Sequence, residues 1–288
     1  LAELGVCGLT VSEAYGGNRD LVAAVMVIEE LCRRGTSLGG PYIHCAFYGA
    51  LNIEHNGSAQ QKQTLLEPLL RGELLFAYGL SEPDVGGDLA SVATRARLDG
   101  DSVVLSGTKR WCTGARFADY ILCLVKSDAQ APRYHNLSFV LVPPSAPGVS
   151  ITDIEHIGLR YAETCDVMLD EVRVPATHIL GGLAGWQQGW NMLAGPALDI
   201  EKLEVAAVAL GIASAALDDA WQYSQQRRQF GKPICGHQAI RHSLAEQRTA
   251  LHASRLMLYH AAWLADRGRP CSLETSMAKL FVTESAQK

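Results

Sequence analysis

The sequence predicts an α+β chain of three parts: an N-terminal helical segment, a middle β-domain and a closing run of long helices. Three observations carry that expectation. Apolar residues recur at helical spacing up to Gly72, short β-branched runs broken by Gly and Pro fill the middle third, and strand signals vanish after Gly185. Because strands and helices do not alternate, a parallel Rossmann sheet is not expected, and no Gly-rich stretch has the strand–GxGxxG–helix setting of a dinucleotide site. A nucleotide cofactor would need another mode of binding.

Each element has a local reason. Leu21, Val25, Ile28, Leu31 and Cys32 line one helical face, with Asp20 placed as N-cap and Gly35 as the stop. Ser58 followed by Gln61 has the form of a capping box, and Leu65, Leu66, Leu69 and Leu70 supply the apolar face of the helix that follows. Residues 91–98 and 102–106 read as strands flanking Asp99-Gly100, a pair suited to a type I′ hairpin turn. Further strands are expected at 120–126, 137–142, 149–154 and 167–169, punctuated by breakers such as Pro143-Pro144. Residues 199–227 read as one long helix whose centre is apolar almost all round, which requires burial on most sides, as in a bundle or a subunit interface. Phe230-Gly231-Lys232-Pro233 breaks it; a second helix runs from about 236 to 266, and a third starts near 273 and is still helical in pattern at Lys288.

Composition bounds the function. At roughly 150 residues per domain, 288 residues give two domains and enough chain to bury a core without disulfides or metals, whereas the three textures give domains at 1–74, 75–183 and 184–288. The 25 Lys and Arg against 30 Asp and Glu leave a net charge of −5, so the basic excess needed to neutralise phosphates is missing and nucleic acid is not an expected partner. The eight cysteines form no CxxC or similar pair; they read as separate buried thiols in a reduced compartment, with no metal expected. The longest uncharged apolar run, 205–217, falls short of the roughly 18 residues of a membrane span. No signal peptide is expected, and the absent initiator Met suggests a chain entered after its native start.

Two segments invite chemistry. In the stretch 78–89 a strand ends beside a Gly-rich turn, where Gly86 and Gly87 let backbone N–H groups approach an anion and the Ser81 hydroxyl can donate to a ring carbonyl. By itself the stretch reads first as a plain turn. Lys109-Arg110-Trp111-Cys112-Thr113-Gly114 sets a large aromatic and a hydroxyl at a second strand end, and by itself reads as a core Trp with a turn Thr. Arg227 and Arg228, by themselves, are C-terminal charges that suit the helix dipole.

Taken together, Ser-Glu-Pro-x-x-Gly-Gly-Asp-Leu-Ala-Ser at 81–91, Lys-Arg-Trp-Cys-Thr-Gly-Ala at 109–115, Asp-Glu-Val-Arg-Val-Pro at 170–175 and Arg-Arg-Gln-Phe-Gly-Lys-Pro at 227–233 resemble the acyl-CoA dehydrogenase family, in its order and spacing across essentially the whole chain. The resemblance implies an N-terminal helical domain, a middle β-barrel-like domain and a C-terminal four-helix bundle, here lacking its end. It implies FAD between the β-domain and the helices, an acyl-CoA substrate, an electron-transfer flavoprotein or similar acceptor, and a homotetramer or homodimer in the bacterial cytoplasm or mitochondrial matrix. Carried over residue by residue, Tyr78, Leu80 and Ser81 would line the flavin ring, and the Gly86-Gly87 turn would face cofactor and substrate. Trp111 would cover one flavin face, with Cys112 beside it and the Thr113 hydroxyl near N5. Arg227, Phe230 and Gln238 would reach the FAD of an adjacent subunit. One departure is evident: the family's Gly-x-Gly-Ser-Asp is Asp84-Val85-Gly86-Gly87-Asp88 here, so a Ser hydroxyl at position 87 is absent.

Oxidising a saturated thioester needs a base for the α-proton, and a desolvated carboxylate suits that task. Most of the family place this Glu beyond the last residue of this chain; some branches place it on the first long helix of the bundle, where Glu201 stands between Asp199 and Lys202, both expected near substrate. Glu201 would share a face with Val205, Val208 and Ile212, which would desolvate it. By itself, Glu201 is a solvated first-turn carboxylate favoured by the helix dipole. Two other readings stay open: a relative using O₂ or a carrier-bound thioester, and a non-catalytic structural or nucleic-acid-associated member of the fold.

Overall fold

The computed structural model describes residues 1–159 and 162–288, which form two compact units. Unit 1 comprises Leu1–Arg19 with Gly40–Leu198, and unit 2 comprises Asp20–Gly39 with Asp199–Lys288. The helix α1 (Leu21–Arg34), which the sequence places among the N-terminal helices, thus belongs to the unit built mostly from C-terminal residues.

In unit 1, α2 (Gly39–Ile43, from Gly40 on), a π-helical stretch (His44–Leu51) and α3 (Asn52–Asn56) form one helical run, which the extended Gly57 and Ser58 separate from α4 (Ala59–Leu70). The Ser58–Gln61 capping box is present in both directions, and the Gln61 amide also bonds Thr177 O, Ile179 O and the Gly181 N–H, so the cap doubles as a tether to the loop beyond the sheet. The sheet contains β1 (Phe76–Gly79), β2 (Arg95–Asp99), β3 (Ser102–Thr113), β4 (Tyr120–Lys126), β5 (Leu137–Val142), β6 (Val149–Asp153) and β7 (Thr164–Pro175). Its order is β1-β4-β2-β3-β7-β6, with β5 on the other edge of β4; β1 and β2 pair with β4 in parallel and the remaining pairs are antiparallel. The sequence of β4 is a continuous apolar run because both faces are covered: Ile121, Cys123 and Val125 join one core, Leu122 and Leu124 the other.

The β2–β3 turn differs from expectation. Asp99 pairs with Ser102, so the loop is Gly100-Asp101; only Gly100 is left-handed, at φ 59°, which matches a type II′ turn with Gly first. Strand β3 runs seven residues past its expected end, and β7 is twelve residues long where three were expected. Exposed polar positions alternate with buried ones along the second half of β7 and hide it from a search for apolar runs.

Unit 2 packs α1 with α6 (Pro196–Gln226, from Asp199 on), α7 (Gln238–Asp266) and α8 (Ser272–Ala286); the short α5 (Gly189–Leu193) stays in unit 1. Asp20 caps α1 by accepting from the Ala23 N–H. At Gly211 a Cβ would lie 2.4 Å from Glu29 O, so glycine there lets the backbones of α1 and α6 approach. Glu29, buried, receives Arg255 and the Tyr259 hydroxyl of α7, and Arg255 also donates to Ser214. Within this single chain one side of α6 is buried: Leu203, Ala206, Ala207 and Leu210 form a buried stripe, while Val205 and Ile212 on the opposite side are 45% and 37% exposed. Seven cysteines are buried and Cys235 is half-buried, all eight as free thiols, and the Cys45 thiol donates to Leu69 O at 2.7 Å.

Candidate cofactor and catalytic site

The strand ends of unit 1 gather one set of the expected residues. Between Lys109 and Cys112 the β3–β7 register shifts, a bulge that turns Trp111 outward at φ 63° and leaves it 54% exposed. The Arg110 guanidinium lies 4.9 Å from the Trp111 ring centre, and the Arg110 N–H donates to Ser81 O at 2.8 Å, joining the two expected segments directly. Thr113 is half-buried and its hydroxyl lies 3.1 Å from that of Thr164 on β7. Tyr78, Leu80 and Ser81 are half-buried; the Tyr78 hydroxyl accepts from Asn52 at 2.7 Å and its ring centre lies 4.3 Å from that of Tyr48. Gly86 and Gly87 are exposed with open space where a Cβ would stand, so packing does not dictate the absence of the Ser hydroxyl at 87. Cys112 does not fit its expected role: alternation along β3 turns it into the core, it presents no surface, and burial pushes its thiol pKa up so that it stays neutral.

Sequence reasoning missed the layer beneath. Lys109, fully buried, donates to Glu82 and to Leu80 O; Lys109 and Glu82 lie inside the quoted motifs without having been singled out. His44 from the π-helical stretch bonds Phe76 O at 2.7 Å through Nδ1 and fills the space beside Gly114, where a Cβ would lie 2.4 Å from its Cε1. Burial holds the His44 pKa below its ordinary value, partly offset by the bond to Phe76 O, so the ring is neutral at pH 7. A Gly following Thr113 at the strand end was the available signal for such a close approach.

Unit 2 carries the second set. Asp199, Glu201 and Lys202 are half-buried on the first turns of α6. Lys202 donates to Asp199 at 2.8 Å and to the Ser276 hydroxyl of α8 at 3.2 Å, which leaves one of its three donors for a ligand. Glu201 lies on the outer side of α6 with Val205 and Ile212, so the expected desolvating face is half-open within this unit rather than buried. Arg227 follows the last turn of α6 and is exposed, one residue outside the helix expected to contain it. Beyond it β8 (Arg228–Gln229) and β9 (Lys232–Pro233) form a hairpin whose loop, Phe230-Gly231, has φ of 52° and 79°, the two left-handed positions of a type I′ turn. Phe230 is 92% exposed at its tip, and Gln238 opens α7 nearby in sequence, also exposed.

An exposed indole face, adjacent hydroxyls and a glycine turn at neighbouring strand ends fit a planar heteroaromatic ring bearing carbonyl and nitrogen atoms, as in a flavin. Fold and site together define a flavoprotein of helical, β and helical domains. Comparison with known proteins specifies it further: the N-terminal, middle and C-terminal domains of acyl-CoA dehydrogenase match residues 1–73, 77–172 and 187–288. The chain belongs to the acyl-CoA dehydrogenase family, whose members are FAD-dependent oxidoreductases. It is 35% identical to "Probable acyl-CoA dehydrogenase YngJ" of Bacillus subtilis, over 100% of this chain and 75% of the relative. It is 36% identical to the mitochondrial short-chain specific acyl-CoA dehydrogenase of Bos taurus, over 99% of this chain and 69% of the relative. The butyryl-CoA dehydrogenase of Megasphaera elsdenii superposes with a TM-score of 0.92 at 30% identity, over 99% of this chain and 74% of that one. Among the described residues, no helix is long and apolar enough to cross a membrane.

Proposed function

We propose that this chain catalyses the FAD-dependent α,β-dehydrogenation of an acyl-CoA thioester. The observation that carries the reading is the Trp111 strand end, where an exposed indole stands two residues before Thr113 and the neighbouring Arg110 N–H is bonded to Ser81 O. When bound, FAD supplies the acceptor for the hydride that leaves the substrate β-carbon. Trp111 covers one face of the ring and excludes water from it, and the Thr113 and Ser81 hydroxyls orient it by hydrogen bonds. Glu201 takes the α-proton onto its carboxylate; its outer face on α6, bounded by Val205 and Ile212, is left for substrate to cover, and that cover would raise its basicity. Arg227, Phe230 and Gln238 serve the FAD of a neighbouring subunit in a homotetramer or homodimer, and an electron-transfer flavoprotein takes up the electrons. Cytoplasm or mitochondrial matrix suits such a protein.

Purified protein reconstituted with FAD is expected to show a bound-flavin spectrum that bleaches anaerobically with one or more acyl-CoAs. A protein that takes up no flavin overturns the reading. Glu201→Gln is expected to abolish bleaching while flavin stays bound; bleaching at the parent's rate in that variant would remove Glu201 as the base.

A further inference from the structure

Lys109 is fully buried near Gly79, where a Cβ would crowd Cys123 Sγ at 3.0 Å and touch Lys109 Cγ at 3.4 Å. Its Nζ donates to Glu82 Oε1 at 2.8 Å and to Leu80 O at 3.0 Å. The Glu82 carboxylate also accepts from the backbone N–H groups of Ala93, at 2.6 Å, and Thr94, at 2.9 Å. Between them, Ser81 O accepts from the Arg110 N–H. Three consecutive residues, Leu80, Ser81 and Glu82, are therefore tied to β3 one or two residues before Trp111.

Desolvating two charges costs several kcal/mol for each, and a well-packed apolar pair in such a place is often equally or more stable. Stability does not by itself account for the pair. Its distinctive product is geometric, because a charge-assisted bond is short and directional where an apolar contact can slide. We propose that the Glu82–Lys109 pair is a positioning device that sets the depth of the Leu80-Ser81 backbone against Trp111 and Thr113, so that these groups meet the flavin ring in one arrangement. The inference rests on the FAD reading above. Burial pulls the Lys109 pKa down, and the Glu82 charge restores part of it. Burial raises the Glu82 carboxyl, but the Lys109 charge and the bonds from Lys109, Thr94 and Ala93 outweigh it and hold the group below its usual range.

The test is the double variant Glu82→Gln with Lys109→Met, which removes both charges at nearly constant volume. The single amide oxygen that Glu82→Gln leaves cannot serve the Ala93 and Thr94 N–H groups as the two carboxylate oxygens do, so the thermal unfolding midpoint is expected to fall modestly while the chain still folds. The FAD dissociation constant is expected to rise about tenfold or more and the bound flavin's reduction potential to move from the parent's value. In the flavin-free double variant, exchange of the Arg110 amide is expected to speed up about tenfold. Parental FAD affinity and potential in the double variant would overturn the proposal, and so would a double variant that fails to fold, since the pair would then be a structural brace. A parent chain that binds no FAD fails the functional reading instead; the Arg110 exchange rate then decides this one, an unchanged rate overturning it.

Discussion

Trp111 in unit 1 and Phe230 in unit 2 both present an aromatic ring on a left-handed backbone, at φ 63° and 52°, yet the two are held by different means. Trp111 sits on a bulge between two fully buried residues, Lys109 and Cys112, and its neighbour Arg110 is bonded to Ser81. Phe230 sits on a two-residue hairpin loop held by its own backbone pairs and by the edge of the His237 ring. Holding a non-glycine residue in this region costs about 1–3 kcal/mol, and such strain collects at functional sites. The difference teaches that the surrounding core supports the strain in one case and local turn geometry supports it in the other. The first makes a fixed wall, the second a projecting apolar tip.

Two glycines with nearly equal dihedrals break the comparison most sharply. Gly114 has φ 75° with the His44 ring 2.4 Å from where a Cβ would stand; Gly231 has φ 79° with nothing within 4 Å. Gly114→Ala is expected to lower the stability of unit 1 by roughly 3 kcal/mol or more, since strain adds to a clash with a ring that is buried and bonded. Urea unfolding followed by circular dichroism measures this, and flavin release is expected alongside. Gly231→Ala is expected to cost only the dihedral strain, about 1 kcal/mol, in the same assay. Equal losses at the two sites would remove the distinction between a core-held and a turn-held strand end.

A pH series sharpens it further. The His44 pKa in the folded state lies below its ordinary value of 6.5, so the unfolded chain gains a proton that the folded chain refuses. Stability of unit 1 is therefore expected to be full above pH 6.5 and to fall as pH drops below that value towards the folded-state pKa. Denaturant midpoints from pH 7.5 downward test this, with His44→Gln expected to flatten the slope. The smallest expected effect on stability is that of Phe230→Ala, within about 0.5 kcal/mol, because the exposed ring leaves no cavity. Its effect is expected in FAD retention; unchanged retention would mean that the tip does not serve the cofactor.

Much of the local structure was legible from the residues. Asp20 and the Ser58–Gln61 box cap the helices they were expected to cap, and β4 and β5 have the expected bounds, because caps and apolar runs are short-range signals. The motifs around Ser81, Trp111 and Phe230 pointed to strand ends and a break in the long helix, which is where these residues stand. What escaped were features set by partners distant in sequence. Strand β3 was cut short at 106 because Gly107 and Lys109 look unlike strand interior; Gly107 adopts φ 150° beside Thr94, and Lys109 is accommodated by a carboxylate 27 residues away. The helices of its own unit do not supply the burial expected around Glu201, because the apolar residues of α6 circle the helix and periodicity does not say which side meets the core of its unit.

By itself the sequence determined the class of the capped helices, of the long C-terminal helices and of the apolar strands, the positions of the main turns and, through four motifs in order, the family. Those properties follow from dihedral preference, capping and periodicity within a few residues. Tertiary structure alone decided that α1 joins the C-terminal helices, that Cys112 faces inward while Trp111 faces out, and that Glu82 and Lys109 meet. Each of these depends on which surfaces are removed from water together, and burial is a property of the assembled fold rather than of any segment.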